Sequence, residues 1–136
     1  MSVGVVIVTH YRLGEEFLQA LRLIVPSAPG FLAVGIEPTQ SVEEMRGAIS
    51  QALSKADQGQ GVLVLTDMFG GTPSNISLSF LAEHEVEVVT GVNLPMLIKL
   101  ATLSEPKPLA ELAVFIKSYG QRNISVASEI LPDEAL

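Results

Sequence analysis

Val62-Leu63-Val64-Leu65-Thr66-Asp67-Met68-Phe69-Gly70-Gly71-Thr72-Pro73-Ser74-Asn75 decides the fold. Residues 62–66 are continuously apolar or β-branched, without the alternation of a one-faced sheet, so they predict a strand buried on both faces of a parallel sheet. Asp67 is left at the carboxyl end of that strand. Gly70-Gly71 permits a tight turn, and Thr72-Pro73 supplies a cap and a first helical residue whose missing N–H costs nothing. The helix they open is expected to run through Leu81.

The same alternation extends in both directions. Upstream, Val3 to Val8 is a near-continuous β-branched run that ends at Thr9-His10, a second buried strand. From Leu13 onward Phe17, Leu18, Leu21, Ile24 and Val25 recur at helical spacing, with Glu15 and Glu16 in the first turn and Pro26 as the stop. Phe31 to Ile36 reads as a strand, and Ser41 with Glu44 forms a capping box for a helix reaching about Ala56. Gly59 and Gly61 then punctuate the turn into Val62. Downstream, Val86 to Thr90 is a fourth strand, Leu94 to Leu103 a helix, and Leu109 to about Tyr119 another, closed by Gly120. Ile124 to Val126 is expected as a short C-terminal edge strand.

Strands that alternate with helices specify an α/β fold, because parallel strands need crossovers and the crossover helices cover both faces. The expected architecture is an open, mostly parallel sheet of four strands in the order 2-1-3-4 plus the C-terminal edge strand, with helices on both faces. Residues 1–136 are expected to form one domain, as neither an internal repeat nor a linker interrupts them. Such a sheet presents its functional loops at the carboxyl ends of the strands, near the point where strand order reverses. His10 and Asp67 both have that address.

Composition narrows the function classes. Hydrophobic residues make up 48% of the chain and charged ones 17%, a balance that supports burial and argues against extended disorder. The net charge of -7 offers no field that would draw the chain to nucleic acid or to an anionic membrane surface. Without cysteine it has no disulfide and no thiolate nucleophile, which fits a reducing compartment. The opening residues carry no basic stretch or cleavage pattern, and Thr9, His10, Arg12, Glu15 and Glu16 break the first apolar run. A cytoplasmic protein without direct membrane insertion is expected.

His10, directly after a buried strand, is displayed at the site face of the sheet; from position alone it is equally a cap histidine bonded to backbone. Asp67 shifts that balance. If strands one and three are neighbours, its carboxylate accepts a hydrogen bond from Nδ1 of His10, fixes the tautomer and leaves the Nε2 lone pair as a nucleophile. The alternative is a strand-end aspartate that satisfies turn amides. Gly70, Gly71, Thr72 and Ser74 start a helix whose free amides face the same address, and helix starts of this kind bind phosphate. No Lys-Ser/Thr follows the glycines and the dinucleotide spacing is missing, so a nucleotide is a poor fit and a phosphoryl group held briefly is a good one.

Around this centre Phe69, Leu94 and Met96 either form an apolar docking ring for a partner protein or simply pack, and Arg12 either steers the partner or is a solvated first-turn arginine. His84, between Glu83 and Glu85, reads as a solvated turn histidine. A metal site would require it to join His10 and Asp67, so neither a metal nor a cofactor is expected.

Taken together, Val-Thr-His at 8–10, Leu-Thr-Asp at 65–67, Gly-Gly-Thr-Pro-Ser-Asn at 70–75 and Thr-Gly-Val-Asn-Leu-Pro-Met at 90–96 resemble the mannose-family enzyme IIA domains of the phosphoenolpyruvate-dependent sugar phosphotransferase system. The pieces stand in family order over essentially the whole chain. The resemblance implies a phosphotransferase that accepts a phosphoryl group on His10 from the histidine-containing phosphocarrier protein. It passes the group to an enzyme IIB component, with Asp67 as the companion of His10 and the Gly70-Gly71-Thr72 turn as cradle. It also implies a homodimer, in which some members exchange the C-terminal strand, here Ile124 to Val126.

One departure is visible: the family often has glycine after the active histidine, where this chain has Tyr11 and then Arg12. Two alternatives within relay chemistry stay open, a regulatory phosphoacceptor and a phosphodonor module for a dihydroxyacetone kinase. A receiver phosphorylated on Asp67 would need an acidic cluster after the first strand to hold magnesium, where this chain has Thr9-His10-Tyr11.

Overall fold

The computed structural model describes residues 2–83 and 85–135; the expectation for His84 therefore lies outside the described residues. Four strands, β1 (Gly4–His10), β2 (Leu32–Ile36), β3 (Val62–Thr66) and β4 (Val86–Thr90), pair in parallel in the order β2-β1-β3-β4. Helices α1 (Leu13–Ile24), α2 (Val42–Ala56), α3 (Thr72–Leu78), α4 (Leu94–Thr102), α5 (Leu109–Arg122) and α6 (Ala127–Ile130) complete the elements that matter here.

The apolar runs of the strands become two cores because successive side chains point to opposite faces. Val5 and Ile7 of β1, with Leu63 and Leu65 of β3, pack against α1, α4 and α5 through Leu18, Leu21, Leu97, Leu112 and Ile116. Val6 and Val8, with Val62 and Val64, face the other way onto Met45, Ile49 and Leu53 of α2 and Phe80. Both faces of the sheet are thus covered, and a right-handed crossover sends α1 to one face and α2 to the other. Strand order reverses between β1 and β3, so the crevice beyond their carboxyl ends is the switch point.

Capping follows the sequence at α2, where Ser41 Oγ accepts from Glu44 N–H and Glu44 returns a hydrogen bond to Ser41 N–H. At α3 the cap is Gly71, with Thr72 and Pro73 as the first two helical residues, one position earlier than expected. Regular α3 ends at Leu78 and not Leu81; the chain tightens into i to i+3 turns from Ser79 to Glu83. Arg46 of α2 holds that stretch, bonded to Ser79 and Glu83 with its guanidinium 4.2 Å from the Phe80 ring centre.

Two expectations at the C-terminal end are corrected. Gly120 does not close α5, which continues to Arg122; it lies against Met96 of α4, and a Cβ there would run into the Met96 side chain. Ile124 to Val126 is not a strand: the three residues are held between α5 and α6 and do not reach a free sheet edge.

Candidate functional site

The parallel register of β1 and β3 matches Val8 with Thr66, so the two strands end side by side and deliver His10 and Asp67 to the same spot. Nδ1 of His10 lies 2.8 Å from Asp67 Oδ2, and the same oxygen accepts the His10 backbone N–H at 3.1 Å. The other oxygen, Oδ1, accepts from Met68 N–H at 3.1 Å. The carboxylate is therefore fixed from three directions, two of them from the histidine it orients. With Nδ1 as donor, the tautomer leaves an unprotonated Nε2 on the far side of the ring.

Burial pushes the Asp67 carboxyl up, but hydrogen bonds from the His10 ring and backbone, together with attraction to the imidazole, outweigh it and hold the carboxyl below its ordinary 3.8. Asp67 is thus an anion at neutral pH, suited to steady positive charge on the ring. The imidazole itself is accessible, with 44% of its side chain exposed.

Three local devices hold this pair. The buried Thr9 hydroxyl accepts Gly14 N–H at 2.8 Å and ties the turn after β1 to the start of α1. Tyr11, in that turn, has a φ of +48°, a left-handed conformation uncommon for a bulky residue, and its N–H donates to Ile36 O at 2.9 Å. On the opposite side, Gly70 takes a φ of +87°, which glycine alone adopts without steric cost, and turns the chain so that Gly71 lies on the imidazole. A Cβ at Gly71 would sit 2.8 Å from His10 Cε1 and 3.3 Å from Nε2. Nε2 therefore borders the turn that opens α3.

The remaining expected residues divide. Thr72 is exposed at the first position of α3, whereas the Ser74 side chain is fully buried and its hydroxyl has no partner among the described residues. Both carry first-turn N–H groups that have no intrahelical acceptor. Phe69 is 72% exposed beside the pair, and Arg12 is exposed, bonded to Glu15 at 3.2 Å. Met96 does not belong to a docking ring: it is in the core, clamped against Gly120 by the crossing of α4 and α5, and Leu94 packs half-buried onto the same core. The loop they follow does reach the site, since Gly91 and Val92 both donate to Thr66 O.

Sequence reasoning missed Met68 and Tyr11, the residues directly after Asp67 and His10, as exposed apolar surface, at 54% and 58% exposure. The signal available was the bulky residue directly after His10. It also missed the Thr9 anchor, since a threonine at a strand end has many uses. Among the described residues no three His, Asp or Glu side chains come together as a metal would need, and no helix is long and apolar enough to cross a membrane.

Comparison with known proteins follows the same outline. The family model described as PTS system fructose IIA component matches residues 4–117. The PTS system fructose-specific EIIA component of Bacillus subtilis is 30% identical over 130 residues, covering 95% of this chain and 89% of that protein. The PTS system mannose-specific EIIAB component of Escherichia coli is 28% identical over 109 residues, 79% of this chain but 34% of that protein. Among solved structures, the mannose/sorbose specific IIA subunit from Enterococcus faecalis superposes with a TM-score of 0.86 at 27% identity, covering 98% of both chains. The PTS IIA protein associated with the fucose utilization operon from Streptococcus pneumoniae does so with a TM-score of 0.81 at 26% identity, covering 97% of this chain and all of that one. A match across most of the chain and a parallel sheet of the same kind place this protein in the mannose and fructose enzyme IIA family of the phosphotransferase system, the relay components that carry phosphoryl groups in sugar uptake.

Proposed function

We propose that His10 is the phosphoacceptor of this chain. The Nε2 lone pair attacks the phosphorus of a phosphohistidine on the histidine-containing phosphocarrier protein. A new N–P bond forms, the donor's N–P bond breaks, and its electron pair returns to the donor imidazole. The reverse displacement passes the group to an enzyme IIB component, so the chain is a cytoplasmic phosphotransferase with a covalent intermediate. The observation that carries the reading is the 2.8 Å contact between Nδ1 and Asp67, which leaves Nε2 as the attacking atom beside the Gly71 turn.

The charge balance supports it. Attack by a ring that keeps its Nδ1 proton produces a phosphoimidazole with positive character, which the Asp67 carboxylate stabilises. The phosphoryl oxygens meet the N–H groups of Gly71, Thr72 and Ser74 and the Thr72 hydroxyl, in a turn where Gly70 supplies the required backbone shape. Phe69, Met68 and Tyr11 offer exposed apolar contacts to donor and acceptor proteins, and Arg12 a charge at the rim. The working form is a homodimer.

The test is phosphoryl labelling from phosphoenolpyruvate through the upstream kinase and the phosphocarrier. His10→Ala is expected to abolish labelling and His84→Ala to leave it intact, with the label lost in acid and kept in alkali. Label retained in His10→Ala defeats the proposal. Adding candidate acceptors to the labelled protein then separates enzyme IIB from a regulatory or kinase target.

A further inference from the structure

A cavity lies at the opposite pole from His10, at the amino ends of β1 and β2. It has a volume of about 540 Å³ and is walled by the beginnings of those strands, the last turn of α2 and the passage from α4 to α5. Gly4 and His10 are the first and last of the 7 residues of β1, so the two ends of the strand are roughly 20 Å apart. The cavity shares no residue with the site described above.

Its chemistry is selective. Phe31, Leu32, Leu100 and Leu103 face it while only half-buried, unlike the sealed core residues Val5 and Leu112 that form its inner wall. Leaving such side chains half open forgoes about 25 cal/mol for every Å² that an apolar ligand would cover. The charged side chains that line it are Lys55 and Lys107, and no carboxylate joins them, although the chain carries 15 acidic residues against 8 basic ones. Lys107 is held in place, 4.8 Å from the Phe115 ring centre and 3.7 Å from Glu111, a contact too long to occupy its donors fully. Lys55 makes no ion pair among the described residues. A volume within the roughly 300–1,000 Å³ of small-molecule sites, walls that are partly apolar and a cationic rim together define a ligand.

We propose that this cavity binds a small organic monoanion with an apolar body, a medium-chain or aryl carboxylate, its chain against Phe31 and Leu103 and its charge between Lys55 and Lys107. Partial neutralisation of Lys107 by Glu111 limits the site to one negative charge and disfavours a phosphate dianion.

Decanoate, with decanol and inorganic phosphate as controls, tests this by amide chemical-shift titration of the full chain. Saturable shifts are expected at Gly4, Phe31, Ala56 and Ala101 and not at Asp67 or Gly71, with decanol and phosphate each at least tenfold weaker. Lys55→Gln with Lys107→Gln is expected to weaken decanoate about tenfold, and Ala101→Phe to remove it by filling the cavity. Shifts centred on His10, equal affinity for decanol, undiminished binding in the double variant, or no saturation by millimolar decanoate would each overturn the assignment. None of these readouts depends on phosphorylation of His10.

Discussion

Tyr11 holds a left-handed backbone directly after His10, with its N–H tied to Ile36 and its carbonyl pressed against Gly35, where a Cβ would collide with it. A non-glycine residue in that region costs on the order of 1 kcal/mol, and a β-branched one more. Tyr11→Gly is therefore expected to raise stability by up to roughly 0.5 kcal/mol after the added chain entropy of glycine, and Tyr11→Val to lower it by about 1 kcal/mol or more. Urea midpoints check the opposite signs; equal shifts would show that the turn is unstrained. Asp67 gives a second test at this scale. Its carboxyl is held below 3.8 in the folded protein, so its contribution to stability is complete above the unfolded value and is lost as pH falls through the lower folded one. Between pH 5 and pH 2.5 the wild type should lose more stability than Asp67→Asn, and the two profiles should not run parallel. The same variant should transfer phosphoryl groups about 10–100-fold more slowly with its fold retained, the usual scale for a residue that orients a reacting ligand. The His10 and Asp67 pair was legible because each ends an apolar run. The φ of Tyr11 was not, since sequence shows only that a bulky residue stands where relatives often have glycine.

At the scale of elements, α3 matters for where it begins. Gly70 and Gly71 lay the helix start on the imidazole, and the missing Cβ of Gly71 is the space in which His10 Cε1 sits. Gly71→Ala is expected to push the ring off its Asp67 contact and slow transfer by at least about tenfold, since sub-ångström misplacement of a reacting atom is costly, while thermal stability changes little. A transfer rate equal to wild type would mean that the loop yields and the cradle is not built around that contact. Strand and helix positions were readable because continuous β-branched runs and capped 3.6-residue patterns are local signals. What escaped was tertiary. Gly120 looked like a helix stop, yet it is an interior residue chosen for the close approach of Met96, and nothing within α5 reveals its neighbour on α4. Met96 was left between docking and packing for the same reason: at the start of a helix after a site loop, only the crossing of α4 and α5 decides that it faces inward. Ser74 turned inward likewise, its side chain fully buried in the first turn of α3.

For the whole molecule, the unresolved balance is at the C-terminal end. Ile124, Val126, Ile130 and Leu131 are 75%, 58%, 66% and 44% exposed, a concentration of apolar surface beyond α5 that contributes nothing to either core. β4 meanwhile ends the sheet, its outer edge offering a row of N–H and C=O groups to any strand that arrives. Within one copy the extended residues 124–126 do not reach that edge. In a dimer they can arrive from the other copy, adding a strand by backbone hydrogen bonds and covering the exposed side chains at once. The strand expected from Ile124 to Val126 would then form between chains and not within one. Sedimentation velocity at micromolar concentration should find the wild type as a dimer and a chain ending at Asn123 as a monomer, with helical content reduced only by the loss of α6. Because His10 lies at the carboxyl end of β1, an interior strand, the shortened chain should still accept a phosphoryl group, at a rate within about threefold of the dimer. A shortened chain that still sediments as a dimer would put the interface elsewhere; one that is monomeric but cannot be labelled would mean that the second copy completes the site.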